Sequence, residues 1–421
     1  MFIRYKKNAG TLEAVAKVYS QQEHGIDPHL VDGDAIRVIE RLEERGYESY
    51  LVGGAVRDLM LGRRPKDFDV VTAASPRAVH RIFRNSMIVG RRFKIVHVVF
   101  GKKIIEVSTF RSLDEHEANN DNTFGTIEED CQRRDYSINS LYYDPINETI
   151  IDFNNSMEDI KNKRLVSLIP LNKSFIEDPV RMIRGVKYSV TTGFKMSLRL
   201  KLAIRHYAPE LQYVSTSRMT EEVNKILGSG NSSEIFAALH HFGLLPYILP
   251  CISVFGKYQQ FYDSLNTLDD KINEISSDAK RRTFPKAMMY LALVHPFIAD
   301  NKDITDPKEL FKDTLRQVRV LLSPITPPKF ELESTAVMHL RLNGKYAPKG
   351  NSNSALKRSN AKASTGSKST TKSTTKNTAN NVVKSTNKPR RRKKKATTPT
   401  PGSSTNATAS LAAAVTTSAT E

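Results

Sequence analysis

Two cysteines in 421 residues, Cys131 and Cys251, are too few and too far apart for a disulfide framework or a zinc site. Both read as ordinary reduced thiols. The opening Met1-Phe2-Ile3-Arg4-Tyr5-Lys6-Lys7 holds no apolar stretch of signal-peptide length, and no apolar run in the chain approaches the ~20 residues of a membrane span. A cytoplasmic protein without membrane contact is expected. Acids are scarcest where bases crowd: from Lys345 onward sixteen Lys and Arg face a single acid, Glu421. The net charge of +19 is therefore mostly a tail property, +15 against +4 for residues 1–344.

That tail, 345–421, is Lys, Ser, Thr, Asn and Ala with few large apolar residues, so it cannot bury enough surface to offset its ordering entropy. It is expected to be disordered. Within it Lys388-Pro389-Arg390-Arg391-Arg392-Lys393-Lys394-Lys395 would attract a polyanion by counterion release, without sequence preference and with strong salt dependence. A solubilising tail with no specific partner fits the composition equally well.

What the chain does have is concentrated in Leu51 to Thr72, LVGGAVRDLMLGRRPKDFDVVT. Phosphoryl transfer from a nucleoside triphosphate asks a protein for positioning and charge neutralisation rather than covalent chemistry. If Phe68 sits in a strand, alternation sends Asp67 and Asp69 to one face, where their oxygens can hold Mg²⁺. In two-metal sites, ions roughly 3.5–4 Å apart activate the attacking oxygen and stabilise the leaving one. Gly53-Gly54 follows apolar Tyr50-Leu51-Val52 and lets backbone N–H groups approach a phosphate, with Arg57 in reach of the same anion. It is not the G-x-x-x-x-G-K-[ST] of a P-loop. Alone, an Asp-x-Asp is a solvated turn or strand edge; the joint spacing is what points to chemistry.

Residues 1–33 read as an irregular leader. A helix is expected over Ala35 to Arg45, with Ile36, Ile39 and Leu42 on one face and Gly46 as its stop. Strands at Tyr50–Val52 and around the Asp-x-Asp follow, then a helix from Pro76 to Arg84 and a hairpin of Ile95 to Phe100 and Ile104 to Phe110 about Gly101-Lys102-Lys103. Glu106 lies among Ile104, Ile105 and Val107, an odd place for a carboxylate without a partner or a metal. Either it turns toward the other acids or it faces outward. Beyond residue 151 strands largely vanish and helical patterns recur at Met196–Arg205, Met219–Leu227, Ser233–Phe242, Gln259–Ile275, Pro285–Phe297, Pro307–Leu322 and Lys329–Leu342.

The block Glu177-Asp178-Pro179-Val180-Arg181-Met182-Ile183-Arg184 places Asp178 as a helix N-cap and Pro179 at the first helical position. Asp178 and Arg181 then share a face, with Arg184 a turn along. One accepts and the other donates, so together they present a hydrogen-bonding edge to a base; a capped helix with an internal ion pair explains the spacing equally.

Taken together, Gly53-Gly54-Ala55-Val56-Arg57-Asp58, Leu61-Gly62-Arg63, Asp67-Phe68-Asp69, Arg133-Arg134-Asp135 and the Glu-Asp-x-x-Arg block resemble the class II nucleotidyltransferases, which comprise bacterial poly(A) polymerases and tRNA CCA-adding enzymes. The resemblance runs from about Gln21 to Leu249 and is most specific over 50–190. It implies an α+β fold: a nucleotidyltransferase head at 34–150, a helical neck at 151–250, a helical body at 251–344 and the basic tail. By the same resemblance Asp67 and Asp69 are Mg²⁺ ligands, with Glu106 or Asp135 as the third acid. Gly53, Gly54, Arg57, Arg133 and Arg134 surround the triphosphate, and Asp178, Arg181 and Arg184 face the incoming nucleotide in place of a template.

Poly(A) and CCA addition share these motifs. Ile88-Val89-Gly90-Arg91-Arg92-Phe93-Lys94 resembles the Gly-Arg-Arg-Phe signature of the poly(A) branch, with Arg91, Arg92 and Lys94 as RNA contacts or as a plain charged loop. The implied activity is AMP transfer from ATP to RNA 3′ ends, of mRNA, tRNA or other small RNAs, in mRNA polyadenylation, RNA processing and decay, with RNA-decay and RNA-chaperone proteins as partners. The alternatives are a CCA-adding enzyme and a catalytically silent RNA-binding protein. The body is shorter than is usual for the polymerase branch, which leaves the RNA path open.

Overall fold

A computed structural model describes residues 1–8, 11–90, 94–112, 124–277, 284–299, 301 and 303–345. Arg91, Arg92 and the tail cations Arg390, Arg391, Arg392, Lys393, Lys394 and Lys395 lie outside the described residues.

Among the described residues nine strands form one sheet: β1 (Phe2–Asn8), β2 (Thr11–Ser20), β3 (Ser49–Val52), β4 (Asp69–Thr72), β5 (Ser86–Val89), β6 (Ile95–Phe100), β7 (Lys103–Thr109), β8 (Tyr142–Asp144) and β9 (Thr149–Asp152). Their order is β1-β2-β9-β8-β3-β4-β7-β6-β5, antiparallel throughout except for β4 against β7. The parallel pair needs a crossover, and the Pro76–Ile82 helix with β5 and β6 supplies it.

Alternation divides the sheet's faces. Leu51, Val70, Ile105 and Val107 point into a large core shared with the Gly33–Glu43 helix, while Tyr50, Val52, Val71 and Tyr142 pack with Ile127 and Cys131 on the other side. The larger core continues without a break into the helices that follow, through Ile183, Val223 and Phe236 to Ala336. Burial of this apolar surface, roughly 25 cal/mol per Å², is the main force joining sheet to helices. Cys131 is buried and Cys251 partly so, both as free thiols.

The expected α+β fold is present, and the hairpin, the Pro307–Leu322 helix and the Lys329–Leu342 helix fall where the periodicity puts them. Residues 1–33 correct the sequence reading. They are not an irregular leader: β1 and β2 extend the sheet through β9, which itself runs to Asp152. In β2 only Ala16 is buried, with Val18 partly covered beside it, too little to make the alternation conspicuous, and only the pairing with β9 gives Ala16 a core to enter. Among the described residues no helix is long and apolar enough to cross a membrane.

Candidate active site

The turn between β3 and the helix Gly54–Met60 opens the site. Gly53 adopts φ 71°, ψ −133°, a conformation costly to a residue with a Cβ, and a side chain there would point at Asp69 Oδ2 and Arg134 Nη1. The bare backbone thus faces both a carboxylate and a guanidinium.

Asp69 opens β4, and Phe68 before it is buried in the larger core, so Asp67 and Asp69 are left on the opposite side, lining a cleft of about 930 Å³. In the parallel pairing Asp69 lies beside Glu106 of β7, whose neighbours Ile105 and Val107 take the core face. Glu106 therefore shares the cleft face with Asp69. Its own contact is His97 of β6, 3.6 Å away. Enclosure by the cleft walls, then the charges of Glu106 and Asp67, push the Asp69 carboxyl up to about 6, against the pull of Arg134 and Lys225.

This donor set fits Mg²⁺. The oxygens are hard, the acids repel one another, and among the described residues no three His, Cys, Asp or Glu gather to cage an ion by themselves. Magnesium is typically held by one or two carboxylates, with waters and substrate phosphates completing its shell.

Asp135 lines the same cleft but is already occupied. Its Oδ1 accepts from Tyr136 N at 2.8 Å and Asn139 Nδ2 at 3.1 Å. Arg184 Nη2 stands 2.9 Å from Oδ2, an ion pair not aligned as a hydrogen bond. Of the two, only Glu106 is in register with Asp69.

The arginines are held as tightly. Arg57 donates through Nε and Nη2 to Asp58 Oδ1 at 2.9 and 2.8 Å and through Nη1 to Asn139 Oδ1 at 3.0 Å, its guanidinium 5.2 Å from the Tyr188 ring centre. Arg134 donates to Asp130 Oδ2 at 2.8 Å and Tyr142 Oη at 3.0 Å, and Arg133 donates to the Ser112 carbonyl. Each is a charge pre-set at the cleft wall.

The helix Val180–Thr192 forms the facing wall and can lie close because residue 185 is glycine: a Cβ there would collide with the Tyr136 hydroxyl, which donates to the Arg181 carbonyl at 2.8 Å. Here the structure departs from the sequence reading. Pro179, not Asp178, caps this helix, and the Asp178 side chain turns away because other partners claim it. Its Oδ2 accepts from Arg218 at 2.5 Å and lies 3.9 Å from Arg181 Nε. Arg181 Nη1 donates to the Ser174 carbonyl at 3.1 Å and Glu177 Oε2 at 3.3 Å. Arg184 donates to Tyr188 Oη at 3.2 and 3.0 Å.

Gly53, Gly54, Arg57, Asp67, Asp69, Glu106, Arg133, Arg134, Asp135, Asp178, Arg181 and Arg184 thus all line one cleft. Lys94 is described but is not among its lining residues. The structure adds Arg63, Arg64 and Lys66, whose signal was adjacency to the acids, and Arg218, Lys187 and Lys225, which had no local signal. Buried Glu222 sits between Lys187 at 3.3 Å and Lys225 at 3.0 Å, and these cations hold its carboxyl below the usual range despite burial.

Residues 49–166 match the family model described as "Poly A polymerase head domain", and residues 193–255 match "Probable RNA and SrmB- binding site of polymerase A". A poly(A) polymerase I of Salmonella typhi is 38% identical over 259 residues, 57% of this chain and 56% of the relative. A CCA-adding enzyme of Geobacillus kaustophilus is 36% identical over 218 residues, 51% of this chain and 54% of the relative. The chain thus spans a little over half the length of these relatives. The solved structure described as "tRNA-processing enzyme (apo form I)" superposes with a TM-score of 0.51 at 22% identity, over 75% of this chain and 80% of that one, a likeness of fold. In its residues 49–166 and 193–255, and over the stretch it shares with these relatives, the chain is thus similar to the class II nucleotidyltransferases.

Proposed function

We propose that the protein is a template-independent RNA nucleotidyltransferase of the poly(A) polymerase kind, transferring AMP from ATP to an RNA 3′-hydroxyl and releasing pyrophosphate. The observation that carries this is the juxtaposition of Asp67, Asp69 and Glu106 on one cleft face with a ring of arginines and, opposite, the Asp178 and Arg181 pair. A protein that only bound RNA would have no use for carboxylates gathered where phosphate must sit.

Asp67 and Asp69, with Glu106 beside them, would hold Mg²⁺, which when bound supplies charge neutralisation for the triphosphate and activation of the attacking hydroxyl. Arg57, Arg133 and Arg134, locked by Asp58, Asn139, Asp130 and the Ser112 carbonyl, bind the triphosphate with little side-chain entropy left to lose. The Gly53-Gly54 turn lets backbone N–H groups approach the same anion. Asp178 and Arg181 offer an acceptor and a donor to the base.

The poly(A) reading is supported by Gly90-Arg91-Arg92-Phe93 and by the poly(A) polymerase relatives; CCA addition to tRNA is the second reading, supported by the CCA-adding relatives. In an assay of pyrophosphate release with RNA, ATP and Mg²⁺, Asp69→Asn is expected to abolish turnover while leaving the fold intact. Wild-type turnover in that variant contradicts the assignment.

A further inference from the structure

Asp178 has two oxygens in different circumstances. Oδ2 accepts from Arg218 Nη2 at 2.5 Å, while Oδ1 is shielded from solvent and accepts no hydrogen bond. A buried acceptor left without a donor is costly, and its persistence at a cleft wall calls for a ligand that brings the donor. Both Asp178 and Arg218 line the cleft.

Arg218 reaches Asp178 from another element, the helix Thr216–Leu227. That helix is firmly seated. Met219 and Val223 are buried, Thr220 Oγ1 accepts from Thr326 N at 2.9 Å, and Glu222 is clasped by Lys187 and Lys225. Arg218 is thus a fixed cation beside a carboxylate that has a rival, since Arg181 Nε lies 3.9 Å from the same Oδ2.

We propose that Arg218 is a positioning residue for base discrimination: by occupying Oδ2 it holds Asp178 in one orientation, so that Oδ1 accepts from the exocyclic amino group of an incoming base. Adenine and cytosine carry such a donor; guanine and uracil present a keto oxygen at the corresponding edge, which a carboxylate repels. The nucleotides this selects are those with an amino group, and not a keto oxygen, at purine C6 or pyrimidine C4. Without Arg218 the carboxylate closes on Arg181, removing acceptor and donor together from the base edge. The inference rests on the nucleotidyltransferase reading and names what sets its selectivity.

The test is single-nucleotide extension of an RNA primer by the full chain with Mg²⁺, supplying ATP or GTP alone and comparing kcat/KM. Wild type is expected to favour ATP. R218Q should lower the ATP to GTP ratio by about tenfold or more, mainly through KM for ATP, and R218K, which keeps a cation near Oδ2, should restore most of it. Arg218 is half exposed, so the variants should melt near the wild type; if R218Q does not fold, R218M, of similar stem and no charge, is read in its place. An uncharged variant that slows with ATP and GTP in equal proportion, leaving the ratio unchanged, overturns the proposal while the nucleotidyltransferase reading stands. A wild-type chain that transfers no nucleotide defeats that reading and the inference with it.

Discussion

Asp69 shows how a side chain proposed for the site can be unfavourable to the fold. Its carboxyl, pushed up to about 6 by enclosure and by Glu106 and Asp67, ionises in the unfolded chain before it does in the native one. The folded state then binds more protons, so stability falls as pH rises from about 4 through 6 and stays lower above. Without divalent metal, Asp69→Asn is expected to melt higher than the wild type at pH 7.5 and alike at pH 4, as thermal denaturation in a chelating buffer would show. Equal melting temperatures at both values contradict the picture of crowded carboxylates. At this scale part was legible in the sequence: the two Asp residues at spacing two needed only alternation to share a face, whereas Glu106, open between two orientations, is placed beside Asp69 by the register of β4 and β7. The surroundings of Asp135 were not legible, because its partners are Asn139 four residues on and Arg184 from a distant helix.

Between elements, the parallel register of β4 and β7 brings Glu106 beside Asp69, and the glycine at 185 lets the Val180–Thr192 helix lie against Tyr136. Gly185→Ala would drive a methyl into the Tyr136 hydroxyl and displace the helix carrying Arg181 and Arg184. Overpacking of this kind costs about 1–3 kcal/mol. Urea unfolding should show a lowered midpoint at unchanged slope; an unaltered midpoint means the helix has slack. Sequence periodicity predicted the β6 and β7 hairpin because large β-branched residues flank an obvious glycine turn. It missed β1 and β2, in which the small Ala16 is the one buried core residue and whose link to the rest of the sheet, β9, lies more than a hundred residues away. Asp178 was misread as an N-cap for a related reason: local rules favour an aspartate before proline as a cap, but Arg218, forty residues on, claims the carboxylate. Local chemistry wrote the motifs, and long-range pairing decided which partner each side chain keeps.

For the whole molecule the charge division matters most. Residues 1–344 carry +4 and the remainder +15, so the chain joins a nearly balanced portion to a strongly cationic segment. If that segment holds RNA by counterion release, removing 346–421 should weaken RNA binding and make its salt dependence shallower, by about 0.7 in the log–log slope for each phosphate the tail had neutralised, with pyrophosphate release retained at saturating RNA. Filter binding across a salt series measures this, and an unchanged slope would mean the tail does not touch RNA. The most direct test of the central claim is Mg²⁺-dependent extension of an unstructured RNA and of a tRNA lacking its 3′ end, with ATP and CTP supplied separately and together and products sized to one nucleotide. Long ladders with ATP alone are predicted; a three-nucleotide stop on the tRNA that requires CTP would contradict the poly(A) account.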